Sequence, residues 1–258
     1  MTARLRFSTI KHFASSPAHF RYWQGREMEP SAAMRIGTAV HAAVLGGAPV
    51  VRYDGTRRGK VWDDFEAAHH GATILTATEY DTAQQCAVAV RYDAEASKHV
   101  VSAMSDPQWE NERLIEWDFN GVPFRSTPDR NYGPNGAATL VELKTTRSAQ
   151  PARFLRDATS RHYHAQLGVY REALRSVGVT VARAVIVAVE TSPPYNVTVL
   201  ELTDRALDVG YRTACGWLEQ YKVCEASGEW PGYAQGPIPF DIVEEDELDW
   251  SGVEDSND

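Results

Sequence analysis

The chain has little cysteine and no long apolar segment. Its 258 residues include only Cys86, Cys215 and Cys224, an odd number at spacings that fit neither a disulfide framework nor a CxxC metal site. No apolar run reaches the roughly 18 residues of a membrane-spanning helix, and residues 1–16 lack the apolar core of a secretion signal. The sequence GxxxxGK[S/T] of P-loop ATPases is also missing. These absences predict a cytoplasmic protein with free thiols that neither enters a membrane nor uses ATP.

The negative charge of the chain is concentrated at its C-terminal end. The formal net charge is −9, from 35 acidic and 26 basic residues. Nine of the acids and none of the bases lie in residues 241–258, so residues 1–240 hold 35 minus nine, or 26, acids against 26 bases. We therefore predict one domain over residues 1–240 and an acidic, solvated and disordered tail over 241–258. A neutral domain can still contain a local basic groove.

The first third of the chain has the pattern of helices. We expect a short helix capped by Ser8, a second helix that begins at Ser16-Pro17, and a third from Met34 to Leu45 that ends at Gly46-Gly47. Thr78 with Asp81 indicates the start of a further helical stretch that runs, with a break, to about Met104.

The remainder of the chain mixes strands and helices. Residues 113–119 and 122–127 alternate like strands on either side of Asn120-Gly121, a strong hairpin signal, and residues 138–144 form a third strand. Helices follow over 151–157 and 160–177, then a buried apolar strand over 184–190, a strand over 196–202 and a helix over 203–227. This order predicts an α/β (α+β) domain with a central mixed sheet flanked by helices and a helical N-terminal part.

One constellation of residues indicates chemistry. Thr127-Pro128-Asp129 is followed after twelve residues by Glu142-Leu143-Lys144. Glu142 and Lys144 share one face of the third strand because they are two residues apart. Two carboxylates, with the Leu143 carbonyl, offer hard oxygen ligands to Mg²⁺ or Mn²⁺, and a lysine beside them can position a water that attacks a phosphodiester. The alternative is an edge strand with a surface glutamate and lysine.

The pattern Pro-Asp…Glu-x-Lys resembles that of the PD-(D/E)XK nuclease superfamily, and the order of elements is similar to its restriction-endonuclease-like core. Five short segments further resemble the phage-type RecE (exodeoxyribonuclease VIII) branch, over about residues 8 to 233. They are Ser16–Arg21, Gly37–His41, Lys144–Thr146, Gln166–Tyr170 and Ser227–Tyr233.

The resemblance assigns roles to residues of this chain. It implies that His41, Asp129, Glu142 and the Leu143 carbonyl bind metal, and that Lys144 positions the attacking water. Without the resemblance, His41 on an apolar helix reads as a core histidine. Glu112 corresponds to an additional acidic residue of the family.

Other assignments leave alternatives open. Glu110 or Glu116 can take the place of Glu112, or all three can belong to a solvated strand face. Gln166 and Tyr170, one helical turn apart, are implied to support the site or contact DNA, and the alternative is ordinary helix packing.

Basic residues near the motif are candidate contacts to DNA phosphates. They form two groups, each of which can equally be solvated surface charge: Arg57, Arg58 and Lys60 in one loop, and Arg125, Arg130 and Arg147 around the motif.

The implied activity is a Mg²⁺-dependent exodeoxyribonuclease that Mn²⁺ also supports. It degrades linear double-stranded DNA 5′ to 3′ without ATP and leaves a 3′ single strand for an annealing protein. The resemblance also implies a homo-oligomeric ring, a tetramer or trimer. Three cysteines are too few for the iron–sulfur cluster of some relatives. The alternatives are an endonuclease or structure-specific nuclease on the same core, and a catalytically silent DNA-binding or assembly protein.

Overall fold

The computed structural model describes residues 4–26, 28–101, 109–132, 137–234 and 236–240. The strands are β1 (Leu5–Arg6), β2 (Val50–Arg52), β3 (Thr73–Leu75), β4 (Trp109–Asn111), β5 (Ile115–Phe119), β6 (Val122–Ser126), β7 (Arg130–Tyr132), β8 (Ala137–Thr146), β9 (Thr180–Glu190) and β10 (Val197–Leu202). The α-helices are α1 (Phe7–Ile10), α2 (Pro17–Trp23), α3 (Ala32–Leu45), α4 (Lys60–Ala68), α5 (Ala77–Tyr92), α6 (Ala96–Val100), α7 (Pro151–Ser160), α8 (Tyr163–Ser176) and α9 (Asp204–Ser227), with a 3₁₀ helix over Lys11–Ala14. Across these ranges, no helix combines the length and the apolar character needed to span a bilayer.

A mixed five-stranded sheet forms the centre of the molecule. Its order is β10-β9-β8-β7-β4, with β8 and β9 parallel and the other pairs antiparallel. Ala184 to Val189 are buried on both faces, as their continuous apolar run predicts. Alternate residues of β8 and β9 face opposite sides. Val141 and Leu143 pack with α3 and α5, and Leu140 packs with α7 and α8. The predicted central sheet with flanking helices is therefore confirmed.

A second, three-stranded sheet, with the order β1-β6-β5, joins the N-terminal helices to α9. The hairpin between β5 and β6 turns at Asn120 and Gly121, whose φ values of 48° and 85° give the left-handed turn that Asn-Gly predicts. The hairpin does not, however, lie in the central sheet beside β8. Strand β6 pairs instead with β1, where Phe124 lies opposite Leu5, and the neighbour of β8 is the short strand β7.

Some predicted helix boundaries are confirmed and others are displaced. Ser16 caps α2 by accepting from the His19 N–H, and α3 ends at Gly46, whose φ is 85°. The capping box of α5 begins two residues earlier than predicted, at Thr76. Ser8 caps nothing, because α1 already begins at Phe7. The predicted end near Met104 and the acidic segment 241–258 lie outside the described residues.

Candidate active site

The sheet brings the three residues of the motif together. Strand β7 begins one residue after Asp129, and its register with β8 places Arg130 opposite Val141, so Asp129 lies beside Glu142. The Asp129 carboxylate accepts a hydrogen bond from the Leu143 backbone N–H at 2.8 Å. Glu142 and Lys144 project from the same face of β8, towards α8. The convergence that the spacing predicted is thus present in the fold.

Glu142 is almost completely enclosed, with 1% of its surface exposed. Its Oε1 atom accepts from the Lys144 ammonium at 2.6 Å and from the Gln166 amide at 2.7 Å. Gln166 also donates to the Tyr170 hydroxyl at 3.1 Å. The buried Oε2 atom of Glu142 has no hydrogen-bond partner among the described residues. An unsatisfied carboxylate oxygen is expensive to bury and indicates a group that completes the site.

Burial and charge alter the protonation of this centre. Burial raises the pKa of Asp129 to about 6. Burial and repulsion from Asp129 raise the pKa of Glu142 to about 7. Burial opposes the charge of Lys144, yet attraction to the two carboxylates raises its pKa above the ordinary value. The site therefore keeps a positive ammonium and has two carboxylates that a further cation would stabilise in their charged form.

His41 approaches this centre from α3, on the other side of β8. Its Nε2 atom lies 2.9 Å from the Leu143 carbonyl, a contact in which the ring N–H donates. Its Nδ1 atom then carries the lone pair and faces Asp129 Oδ1 at 3.6 Å. Burial lowers the pKa of His41, which favours the neutral ring. His41 Nδ1 and Asp129 Oδ1 can therefore both donate a lone pair to a cation that binds beside them.

Glu112 is the acidic residue of the 110–116 segment that lies at the site. Its backbone N–H donates to the Asp129 carbonyl at 3.0 Å, its φ is 48°, and it lines a cavity of about 270 Å³ together with His41. Its negative charge partly opposes the burial that lowers the pKa of His41, and it adds to the burial that raises the pKa of Asp129. Glu110 instead pairs with Arg113, and Glu116 pairs with Arg4.

The donor set fits a divalent metal, although it is not a compact ligand cluster. In the ranges that the structure describes, no three His, Cys, Asp or Glu side chains converge closely enough to enclose an ion by themselves. Asp129, Glu142 and His41 nevertheless supply oxygen and imidazole donors, and the free Glu142 oxygen points to an additional charge in the site. Mg²⁺ and Mn²⁺ suit such donors because they retain several waters and need few protein ligands.

The basic residues named from the sequence are placed very differently. Arg130 is completely buried, and its guanidinium donates to Asn111 Oδ1 at 2.5 Å and to the Val100 carbonyl at 2.6 Å. The prediction that Arg130 contacts DNA is therefore wrong, because its guanidinium holds β4 and α6 together inside the protein. Arg125 is exposed beside Lys144 and lines one cavity with it, and Arg147 lines an adjacent cavity.

In the loop that precedes α4, one of the three candidate basic residues forms hydrogen bonds within the protein. Arg57 donates to the Ile74 carbonyl at 2.8 Å and to Glu79 at 3.2 Å, which ties the loop to β3 and α5. Arg58 and Lys60 are exposed. Contacts of these three residues with phosphates stay a prediction.

Tyr163 is a site residue that the sequence reasoning left unassigned. The Lys144 ammonium lies 4.9 Å from the centre of its ring. Tyr163 precedes Gln166 by three residues on α8, so helical periodicity could have placed it on the same face. Arg6, Lys11 and Arg161 also line the cavity beside Lys144. They are distant in sequence from the motif, and no local pattern connects them to it.

Comparisons with known proteins identify the family and a similar fold. Residues 6–237 match the model of a family described as a PDDEXK-like domain of unknown function (DUF3799). A crystal structure from Eubacterium rectale, described as a putative exonuclease, has a TM-score of 0.63 at 15% identity, over 97% of this chain and 94% of that chain. The crystal structure of SSO0001 gives a TM-score of only 0.28 at 11% identity, over 81% and 83% of the two chains. A search of curated proteins gave no match. The chain belongs to this family of PDDEXK-like domains, as the motif predicted.

Proposed function

We propose that the protein is a Mg²⁺-dependent exodeoxyribonuclease that hydrolyses the phosphodiester bonds of linear double-stranded DNA. The single observation that supports this most directly is the convergence of Asp129, Glu142 and Lys144, where the buried Oε2 atom of Glu142 has no hydrogen-bond partner among the described residues. The PDDEXK-like family supports a nuclease. The similar Eubacterium rectale structure, described as a putative exonuclease, favours attack at DNA ends over internal cleavage.

Asp129, Glu142, His41 and the Leu143 carbonyl are the groups that hold the metal in this proposal, with Glu112 beside them. A divalent ion supplies two things when bound: it lowers the pKa of a water, and it offsets charge on the pentavalent transition state. Glu142 can serve although it is paired with Lys144, because the ion pair uses Oε1 and leaves Oε2 available.

The other residues position the reactants. Lys144, whose pKa is raised by the carboxylates, keeps its proton and orients the attacking water or the phosphate by hydrogen bonding. Gln166 holds Glu142 Oε1 in place, and Tyr170 in turn accepts from Gln166. Arg125 and Arg147 lie in cavities next to the motif, where phosphates of the bound strand can reach them.

The finer properties follow from the RecE-like resemblance. We propose 5′ to 3′ degradation without ATP, support of activity by Mn²⁺, and a 3′ single-stranded product that an annealing protein receives. We also propose a ring of three or four copies that surrounds the DNA, in the cytoplasm.

The test is degradation of end-labelled linear duplex by the full chain with Mg²⁺. We expect Lys144→Ala to lower the rate by about 100-fold or more, because it removes a preorganised positive charge from the reacting centre. Lys222→Ala is the matched control, since Lys222 pairs with Glu219 on the surface of α9. Equal rates for the wild-type protein and Lys144→Ala would remove the proposed mechanism.

Three further experiments separate the alternatives. An exonuclease leaves closed circular plasmid intact, whereas an endonuclease on the same core cuts it. Calorimetric titration of the full chain with Mn²⁺ tests for a catalytically silent DNA-binding protein. An active nuclease binds Mn²⁺ at a specific site, and Asp129→Asn abolishes this binding. A silent protein shows no such binding.

The polarity of degradation is determined by placing the label at the 5′ or the 3′ end of the duplex.

A further inference from the structure

A strongly basic cavity lies directly beside the candidate active site. It has a volume of about 500 Å³, and the described residues of its wall include five cationic side chains and no carboxylate. Gln166 and Tyr163 also contribute to the wall, so the cavity opens onto the reacting centre. We name it the basic cavity; its five cations are Arg6, Lys11, Arg125, Lys144 and Arg161.

The cations of the basic cavity repel one another. Strands β1 and β6 are parallel, with Arg6 in register with Arg125, so two like charges stand side by side on one face of the sheet. Burial lowers the pKa of Lys11, and repulsion from Lys144 and Arg161 lowers it further. Within the described part of the chain, Arg6, Lys11, Arg125 and Arg161 form no ion pair. Repulsion among these positive charges raises the electrostatic free energy of the cavity, and a bound polyanion lowers it.

An aromatic cavity continues from the basic cavity. The two cavities share Arg6 and Ser8 in their walls, and the second has a volume of about 580 Å³. Its wall includes His12 and Trp23, whose rings are stacked with centres 5.8 Å apart and planes inclined by 22°. Arg26 also lines it. We name this space the aromatic cavity.

Together the two cavities form one path. Its charged lining groups are cationic except for Glu29 in the aromatic cavity, and His12 and Trp23 add aromatic rings. Each volume falls in the range of about 300–1,000 Å³ typical of pockets for small ligands, so the pair exceeds the needs of one mononucleotide. Proteins that bind single strands combine a basic groove that follows the backbone with aromatic side chains that stack on bases. A duplex offers only its backbone and groove edges, because its base faces are covered by neighbouring pairs.

We propose that this path binds single-stranded DNA next to the bond that is cleaved. Backbone phosphates lie against Arg6, Lys11, Arg125 and Arg161, and an unpaired base stacks in the aromatic cavity against Trp23. The substrate therefore reaches the site as a frayed strand rather than as an intact duplex. This inference rests on the proposed nuclease function and deepens it.

The first experiment measures the affinity of the full chain for two labelled probes in EDTA, where cleavage is blocked. The probes are octathymidylate and a short blunt duplex, and binding is followed by fluorescence anisotropy. We expect Trp23→Ala to weaken binding of octathymidylate by about 5- to 100-fold, as the loss of one stacked base does, and to leave duplex affinity within twofold. Tyr92→Ala is the matched control, because Tyr92 is 85% exposed on α5. Unchanged octathymidylate affinity, or equal loss for both probes, overturns the stacking site.

The second experiment tests the phosphate contacts. We expect the double variant Arg6→Gln, Arg125→Gln to reduce the slope of log affinity for octathymidylate against log salt concentration by about 1.4, since each phosphate contact to a single strand contributes about 0.7. Arg175→Gln is the control, because Arg175 pairs with Glu172 at the surface end of α8. An unchanged slope overturns the assignment of phosphates to the basic cavity.

The third experiment needs no variant and so covers the case in which Trp23→Ala does not fold. Octathymidylate with one 5-iodouracil is photocrosslinked to the wild-type protein, and the adduct is mapped by peptide mass. An adduct on a residue that lines either cavity supports the path, and adducts only on other residues overturn it. A protein that crosslinks there but does not degrade DNA retains the path and loses the proposed function. One that degrades DNA without this adduct retains the function and loses the path.

Discussion

Burial removes the carboxylates of Asp129 and Glu142 from water, and the contacts within the fold offset only part of the lost hydration free energy. Lys144 provides one positive charge for two acidic groups, and Glu142 Oε2 is left without a hydrogen bond within the described structure. Local conflicts of this kind are expected at functional sites, where stability is given up for chemistry. The unfavourable charge balance therefore has a measurable consequence for the metal-free protein.

In the metal-free protein, Asp129 should contribute a loss of stability as the pH rises from 5 to 8. The pKa of Asp129 is about 6 when folded and about 3.9 in an unfolded chain, so the folded state retains a proton that the unfolded state has released. Asp129→Asn removes this cost. Its melting temperature relative to wild type should therefore increase between pH 5 and pH 8 by about 2–4 °C, which corresponds to about 1.4 kcal/mol for one pKa unit.

The measurement is thermal denaturation in EDTA at both pH values, repeated with Mn²⁺. Wild type should gain stability from Mn²⁺ at pH 8 and Asp129→Asn should gain much less, because the metal binds only the folded state. A difference between the two proteins that is the same at pH 5 and pH 8 would contradict the raised pKa of Asp129.

Gln166 should act through Glu142 rather than on the substrate. Gln166→Leu removes the 2.7 Å hydrogen bond to Glu142 Oε1, and we expect kcat to fall by roughly tenfold for a loss of about 1.4 kcal/mol. Tyr170→Phe removes only the hydroxyl that accepts from Gln166 and should have a smaller effect. Gln166→Glu is predicted to be worse than Gln166→Leu, because it adds a third carboxylate to the site. The check is kcat and the Mn²⁺ affinity of each variant.

Site residues differed in how far the sequence could predict them. Glu142 and Lys144 could be predicted because a two-residue spacing on a strand fixes their common face, and Asp129 could be predicted from the Pro-Asp…Glu-x-Lys pattern. Arg130 follows Asp129 directly and looked equally close to DNA, yet strand alternation turns it to the opposite side, where it is completely buried. Arg6 and Lys11 reach the site only through the pairing of β1 with β6, which no local pattern encodes.

At the scale of elements, close packing of α8 and α9 holds the active-site side chains in position. Gly168 and Gly210 face the partner helix, and a Cβ added at Gly210 would lie 2.2 Å from the His164 carbonyl oxygen. Backbone-to-backbone contact of this kind leaves no space for any side chain. Because α8 also carries Gln166, the position of this helix determines how well Glu142 is held.

Gly210→Ala should therefore destabilise the protein by about 1–3 kcal/mol, as overpacking does, and lower nuclease activity with it. Gly216→Ala is the matched control on the same helix, because no atom of the described structure lies within 4 Å of its added Cβ. This control should stabilise the protein by about 0.5–1 kcal/mol through higher helix propensity. The free energy of unfolding of both variants is measured by urea denaturation. Equal changes in this free energy would show that the contact between α8 and α9 is not tight.

Element boundaries were predicted best where one residue type fixes the backbone. Asn120-Gly121 gave the hairpin and Gly46 the end of α3, because both need positive φ. Capping was less reliable, since several serines and threonines are suitable: Thr76 caps α5 instead of Thr78, with Glu79 completing the box. The sheet to which the β5–β6 hairpin belongs was not predictable, because pairing with β1 joins segments more than 100 residues apart.

At the scale of the whole molecule, positive and negative charge are concentrated in different parts of the chain. The basic cavity concentrates positive charge beside the active site, whereas residues 241–258 add nine negative charges to an otherwise neutral sequence. The sequence revealed this asymmetry but not the position of the basic cavity, which is assembled by tertiary contacts.

Deletion of residues 241–258 changes the formal net charge from −9 to zero. We expect the truncated protein to bind linear duplex DNA roughly three- to tenfold more tightly at 10 mM salt, because long-range repulsion of the phosphates is removed. The difference should nearly vanish at 150 mM salt, where the Debye length has fallen from about 30 Å to about 8 Å. The control is a full-length variant with the nine acids replaced by Asn and Gln, which retains the length of the segment. If this variant behaves like wild type while the deletion does not, the effect is steric and the electrostatic explanation fails.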